Sequence, residues 1–594
     1  MKHRLKNIPH FYLFTLFAGT LFFIPDIFVN RFITAPGLWM QAGISIGIIG
    51  YILLRKKQTP LPPMVFILLL AIWAIYHIWQ SWRNLENLIT IISLIAVFFL
   101  CYAIWSHLKN KKSLFTFFSF LALALSLWGI VQLIGQFPSY NDSFAITGPF
   151  DNPAGISTSL VVLFPFSLYF CCYSERKYRL LAIIVAILVV TVIILSQART
   201  AIASVSMIFI FFLIRVSKVR GVKVTPFHYI VISGSFLLLL ASLFFLKKDS
   251  AIGRLLIWQC SSKLIVEKPI FGYGSNGFTA NYMNEQAAYF TKYQESRYVN
   301  LADNIRHPFN EFLKWTVNYG VAGLCITLFL IIIPLWISRK RDSTKLFFIR
   351  LSLLSIGICA LFSYPFNYPF PRLMTVALLA FILSASPQQS ITISNGYLPK
   401  GIAILFSMSL LSATACLAFH EREWYKVAHR ALRGETHQML PRYKLLYTRL
   451  YYKDLFLYNY AAELNVAGHY YESQQIARKC EKLWADFDLQ MLMVDNYLQL
   501  QQYTEAINYL EKAAAMCPVK FIPLYRLTEL YLETGQKEKA RILAQKILDK
   551  KVKVPSPVID RIKSKMRKLL DEPDSFNDPS YLINQNMKLI TILS

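Results

Sequence analysis

The sequence predicts an all-α fold: a polytopic membrane helix bundle of about 12–13 transmembrane helices, a large outer loop, and a C-terminal α-solenoid. Three observations predict it. Apolar runs have the length a bilayer requires, basic residues keep to alternate loops, and a period of about 34 residues marks the last part of the chain.

The chain has 594 residues, of which 55% are hydrophobic. A helix crosses a bilayer with about 20 mostly apolar residues. Thirteen stretches approach that length, near 11–28, 36–54, 63–81, 86–105, 114–135, 154–172, 179–196, 200–216, 227–246, 318–337, 346–364, 372–385 and 400–418. The stretch 372–385 is short for a crossing. Asp26 reads as lying within the first span, near its outer end.

The formal charge of +29, from 62 basic and 33 acidic residues, suggests nucleic acid until its placement is read. Twenty basic residues fall in alternate loops: Lys2/Arg4/Lys6, Arg55/Lys56/Lys57, Lys109/Lys111/Lys112, Arg176/Lys177/Arg179, Arg215/Lys218/Arg220/Lys223 and Arg339/Lys340/Arg341/Lys345. The short loops between them hold only Arg31, Arg83, Arg199 and Arg372. This is the positive-inside pattern; it places the N-terminus in the cytoplasm and argues against a nucleic-acid partner. Thirteen crossings then put the chain after about residue 420 outside, along with the loop 247–310. That loop carries eight basic residues, but long loops follow the rule poorly. The basic start shows no small-residue cleavage site and reads as an uncleaved first helix.

Three units follow: a membrane domain (1–419), its outer loop (247–310) and an outer helical domain (420–594). In the last, Ala506 and Ala540 are one period apart, as are Tyr497 and Tyr531. Tyr497, Ala506, Leu510, Ala513 and Pro518 alternate large, small and terminating residues as tetratricopeptide repeats do. Leu527, Tyr531, Ala540 and Ala544 repeat the scheme, and a degenerate unit near 458–484 precedes them. Such repeats bind many kinds of partner, so a protein partner of this domain is expected. The tail from Asp571 reads as a frayed end.

The nine cysteines are scattered without metal-ligand spacing, so no zinc site or disulfide framework is indicated. Cys260, Cys480 and Cys517 read as buried thiols. The membrane domain has no Asp-x-Asp to hold a metal for a nucleotide-sugar. Asp486-Phe-Asp488 does occur, at a seam between repeats, and reads as a solvated linker.

The informative polar residues gather on the predicted outer face. Asn152, before Pro153, either caps the next helix or lines a polar site. Arg199 sits in a turn close to the hydrocarbon, where a guanidinium is paired, functional or snorkelling. Gly253 to Lys268 reads as an interfacial amphipathic helix, with Arg254, Trp258 and Ser261 on one face and Leu256, Cys260 and Leu264 on another. Three glycines in Pro269-Ile-Phe-Gly-Tyr-Gly-Ser-Asn-Gly277 let backbone approach a ligand, or simply make a loop. Arg306-His307-Pro308-Phe-Asn310-Glu311 precedes a new transmembrane helix, so His307, beside Arg306 and before Pro308, reads as standing at the positive end of that helix. It is either structural or a base for an acceptor hydroxyl. A pyrophosphate would be held by guanidinium forks, for which Arg199, Arg254 and Arg306 are the candidates.

These residues resemble the O-antigen ligase and polymerase superfamily, which includes bacterial protein O-oligosaccharyltransferases. Four stretches over roughly residues 60–385 carry the resemblance: Thr147-Gly-Pro-Phe-Asp-Asn-Pro153, Ser196-Gln-Ala-Arg-Thr-Ala201, Gly253-Arg254 through Pro269-Ile-Phe-Gly-Tyr-Gly274, and His307-Pro-Phe-Asn-Glu-Phe-Leu313 with Gly320 and Gly323. The resemblance implies a metal-independent glycosyltransferase of the bacterial inner membrane, with no cofactor and an undecaprenyl-pyrophosphate-linked glycan as donor. It also implies a histidine that activates the acceptor hydroxyl, lipid A core or a protein as acceptor, and arginines at Arg199 and Arg254 on the pyrophosphate. Two positions depart from the family pattern. Phe309 stands where a histidine often precedes the asparagine, leaving His307 as the available substitute, and Ala154 stands where a second asparagine is common.

The leading expectation is an O-antigen ligase acting at the periplasmic side, with the repeat domain periplasmic. Protein O-glycosylation or repeat-unit polymerisation is the close alternative. A transporter or non-catalytic scaffold is the reading from another class; a transporter would carry charged residues or broken helices at mid-membrane.

Overall fold

The computed structural model describes residues 8–54, 59–108, 111–222, 225–341, 343–385, 392–393 and 397–571. The basic clusters at 2–6 and 55–57, Lys109, Lys223 and the tail after Asp571 lie outside the described residues. Contacts divide the chain into two units. The first comprises Met1–Lys247, Lys268–Ser275 and His307–Lys426; the second comprises Lys248–Glu267, Asn276–Arg306 and Val427–Ser594.

The first unit is a membrane helix bundle. Its helices are α1 (Ile8–Phe22), α2 (Thr34–Leu54), α3 (Met64–Ser81), α4 (Leu85–His107), α5 (Lys112–Leu133), α6 (Pro153–Tyr173), α7 (Arg176–Leu195), α8 (Arg199–Val219) and α9 (Pro226–Leu246). The second unit interrupts here with α10 (Lys248–Glu267) and α11 (Gly277–Lys292), and the bundle resumes with α12 (Glu311–Ile337), α13 (Thr344–Phe362) and α14 (Pro369–Ser384). Helix α15 (Tyr397–Arg430) ends the bundle. Among the described residues, eleven helices are long and apolar enough to cross a membrane, and the shorter α1 and α14 are apolar too. Each expected stretch therefore coincides with a helix. Asp26 does not lie in the first one: α1 stops at Phe22, and Asp26 pairs with Arg31 at 3.2 Å.

Burial grades the bundle from its centre outward. Nearly all of α6 is buried, whereas Leu243 is the one buried residue among those described in α9, whose apolar side chains face outward as lipid contact requires. Small hydroxyl residues let α6 approach its neighbours closely: Ser157 shares a 2.8 Å hydrogen bond with Ser196, and Ser352 donates to the Val162 carbonyl at 2.5 Å.

The second unit joins the long loop to α16 (Thr436–Leu450), α17 (Asp454–Val466), α18 (Tyr470–Glu481), α19 (Phe487–Gln499), α20 (Tyr503–Met516), α21 (Ile522–Glu533), α22 (Lys537–Asp549) and α23 (Pro557–Asp571). The expected division placed the loop with the membrane domain; its two helices instead group with the C-terminal helices. The reason is specific pairing. Buried Gln286 of α11 donates to the Met516 carbonyl at 2.6 Å and the Asp303 carbonyl at 3.0 Å. Ala485 N donates to the Thr279 carbonyl at 2.9 Å, while Thr279 Oγ1 donates to the Leu483 carbonyl at 3.2 Å.

The small residues of the 34-residue scheme, Ala506, Ala513, Ala540 and Ala544, are all fully buried in α20 and α22. Cys260, Cys480 and Cys517 are free and buried, and burial pushes the Cys260 thiol up to about 12. Asp486 corrects the expectation of a solvated linker. It is 2% exposed, caps α19 by accepting from Asp488 N at 2.8 Å, and accepts from Asn304 Nδ2 at 2.7 Å. Burial raises its carboxyl above the usual range.

Candidate functional site

The loop 136–152 is shaped by one buried amide. Gln132 Oε1 accepts from Thr147 N at 3.0 Å and Gly148 N at 2.7 Å, while its Nε2 donates to the Pro138 carbonyl at 3.1 Å. Gly148 takes φ +60, where an added Cβ would meet the Ile156 side chain at 2.8 Å. The turn delivers Asp151 and Asn152 to the start of α6.

Asn152 satisfies both readings at once. Its Oδ1 accepts from Ala154 N at 2.8 Å, capping α6. Its Nδ2 donates to the hydroxyls of Tyr368 at 2.7 Å and Tyr364 at 3.0 Å. The Tyr368 hydroxyl in turn donates to Asp151 Oδ1 at 2.6 Å. Burial, with Tyr364 and Asp151 nearby, holds the Tyr368 phenol well above its ordinary value, so it remains a neutral donor.

Neither tyrosine was singled out in the sequence. Both lie in the connection between α13 and α14, each directly before a proline that keeps it out of helix. Two side chains pin that connection. Glu311, at the start of α12, accepts from Phe366 N at 3.0 Å, and Arg372 donates to the Asn367 carbonyl at 3.1 Å. Trp315 stacks on Phe366 with centroids 5.4 Å apart. Glu311 therefore holds the loop that carries the tyrosines.

His307 stacks on Tyr364, ring centroids 4.7 Å apart and planes 21° from parallel. Phe309 meets the same ring edge-on at 5.5 Å and holds φ +54, a costly conformation for a bulky residue. Asn310 caps α12 by accepting from Leu313 N at 3.0 Å. His307, Phe309 and Asn152 thus converge on Tyr364.

The arginines are placed differently. Arg199 opens α8, and its Nη1 donates to the carbonyls of Leu243 at 3.3 Å and Lys247 at 3.1 Å, at the C-terminal end of α9 where a cation is favoured. Arg254 and Trp258 lie half-buried on α10, in the second unit. Ser261 does not share their face as expected: it is buried with Leu256, Ile257, Cys260 and Leu264, its hydroxyl donating to the Ile257 carbonyl at 2.6 Å. Arg306, also in the second unit, pairs with Asp454 at 2.6 Å and lies over the Trp484 ring at 4.7 Å.

The glycine run 269–277 turns out to approach protein backbone. Helix α12 is broken at Gly320 (φ 64, ψ −177). Residues 269–274 fill the break: Tyr273 N donates to the Val317 carbonyl at 3.0 Å, Gly274 N to Asn318 at 2.8 Å, and Val321 N to Pro269 at 2.8 Å. Among the described residues, no group of three or more His, Cys, Asp or Glu side chains is arranged to hold a metal ion.

A family model described as O-Antigen ligase matches residues 184–328. The match runs from α7 into α12 and includes Arg199, Arg254, Arg306, His307, Gly320 and Gly323, but not Asn152, Tyr364 or Tyr368. It supports a membrane enzyme of the O-antigen ligase or polymerase kind. No curated protein matches the chain.

Proposed function

We propose that this protein is an O-antigen ligase-type glycosyltransferase, transferring a glycan from undecaprenyl pyrophosphate to a hydroxyl of lipid A core at the periplasmic face of the inner membrane. The observation that carries the reading is His307 stacked on Tyr364, whose hydroxyl accepts from Asn152. An imidazole fixed in a polar network at the helix ends suits a general base.

In this reading His307 takes the proton of the acceptor hydroxyl as its oxygen attacks the anomeric carbon. The bond from that carbon to the pyrophosphate oxygen breaks, and undecaprenyl pyrophosphate leaves with the electron pair. Arg199 offsets the charge of the leaving group through charge-assisted hydrogen bonds. Arg306, already bound to a carboxylate, is assigned to holding the loop rather than the pyrophosphate. The broken helix does not favour a transporter, because the groups freed at Gly320 pair with residues 269–274 instead of lining a cavity.

The test is purified protein with lipid-linked glycan, offered lipid A core or a candidate acceptor protein, with chelator and without metal. Transfer to the core supports the reading. Transfer to protein alone, or chain extension of the donor, makes it an oligosaccharyltransferase or a polymerase. Loss of transfer under chelation removes the metal-independent mechanism.

A further inference from the structure

The charge of the second unit is unevenly distributed. Residues 427–536 hold twelve basic and twelve acidic residues, whereas 537–571 hold twelve basic and four acidic. A solubilising end to a helical array needs polarity, which both signs supply. A threefold excess of one sign asks for another cause.

The linker 550–556, between α22 and α23, is where the excess is best displayed. Its base is fixed by two lysines turned inward. Lys550 Nζ donates to the carbonyls of Pro518 and of Lys520, the latter at 2.8 Å, and Lys563 Nζ donates to the Leu548 carbonyl at 2.7 Å and the Lys550 carbonyl at 2.8 Å. The tip then presents Lys551, Val552, Lys553 and Val554 outward, all exposed, with Val554 67% exposed. On α22, Ile542 is also 67% exposed, among the exposed Lys539, Arg541 and Lys546. Arg561, Arg567 and Lys568 are exposed on α23. Lysines interleaved with bare aliphatic side chains match a phospholipid interface, where headgroup phosphates take the cations and the apolar tips enter beneath them.

We propose that α22, α23 and the tip 551–554 form a docking surface for an anionic phospholipid bilayer. A soluble acidic partner would satisfy the lysines but not Val552, Val554 and Ile542. The membrane is also always at hand, because the same chain spans it, so even weak headgroup contacts act at high effective concentration.

The test uses the full chain in nanodiscs of phosphatidylcholine alone or enriched in phosphatidylglycerol, with lysine-modification footprinting read by mass spectrometry. Labelling of Lys551 and Lys553 should fall several-fold in the anionic discs and recover at high salt. Lys551→Glu and Lys553→Glu should each weaken the protection of the remaining tip lysine about fivefold, and Val554→Asp should weaken that of both, with unchanged thermal melting. Equal labelling in the two lipids overturns the proposal. So does equal protection in phosphatidylcholine discs on adding a soluble polyanion, which would identify a polyanion site instead. Neither result depends on whether the protein transfers glycans.

Discussion

A Cβ placed on Gly320 would lie 2.0 Å from the carbonyl oxygen of Ile270. Backbone cannot yield as a side-chain end can, and the left-handed φ adds its own cost. Gly320→Ala should therefore destabilise the bundle by about 3 kcal/mol or more. Thermal melting in detergent checks this, and Gly272→Ala, whose Cβ would meet the Asn318 carbonyl at 2.5 Å, should behave alike. Gly357, with open space around it, should accept alanine without loss.

Asn152 holds a helix cap and two tyrosine hydroxyls, and substitutions separate the two roles. Asn152→Asp keeps the cap oxygen but loses the Nδ2 donor and sets a second carboxylate beside Asp151. It should melt near the wild type yet transfer glycan at least about tenfold more slowly. Asn152→Ala should lose both activity and about 1 kcal/mol of stability. Equal activity of Asn152→Asp and wild type would remove the network from the mechanism.

His307→Ala should abolish transfer while leaving membrane insertion intact. Phe309 touches the same Tyr364 ring, so His307→Ala/Phe309→His offers an imidazole from two residues away and should restore measurable turnover. Full activity in His307→Ala would assign the base elsewhere.

Arg306 and Asp454 should show a coupling energy of about 1 kcal/mol in a double-mutant cycle on stability, because both side chains are only partly exposed.

Lys550 gives a pH dependence. Burial, with Lys546 as a lesser cause, lowers its ammonium to about 8 from 10.5. Between those values the unfolded chain binds the proton and the folded one does not, so stability rises with pH across that window. Relative to Lys550→Met, the wild type should gain up to about 3 kcal/mol from pH 8 to 10.5, read by thermal melting. A flat difference would contradict it.

The membrane helices were legible because hydropathy and length act locally: each expected stretch coincides with a helix. The burial of Ala506 and Ala540 was legible because small residues on the apolar face of a helix mark a close approach of its neighbour. Tyr364 and Tyr368 were not, since aromatic residues before proline have no single meaning and their partner Asn152 lies more than two hundred residues away. The pairing of residues 269–274 with 317–321 was hidden for a related reason. Glycine spacing reports a close approach without saying what approaches. Asp486 was misread because its burial and its bond from Asn304 involve a loop that sequence order assigns elsewhere.

The hydrogen bonds from Gln286, Thr279 and Asn304 make the long loop and the C-terminal helices a single heritable block, though the membrane segment His307–Lys426 separates them along the chain. A chimera that swaps one without the other would strand buried amides against mismatched carbonyls. Recombination between relatives should preserve the two segments as a matched set, and a graft of either has to carry both.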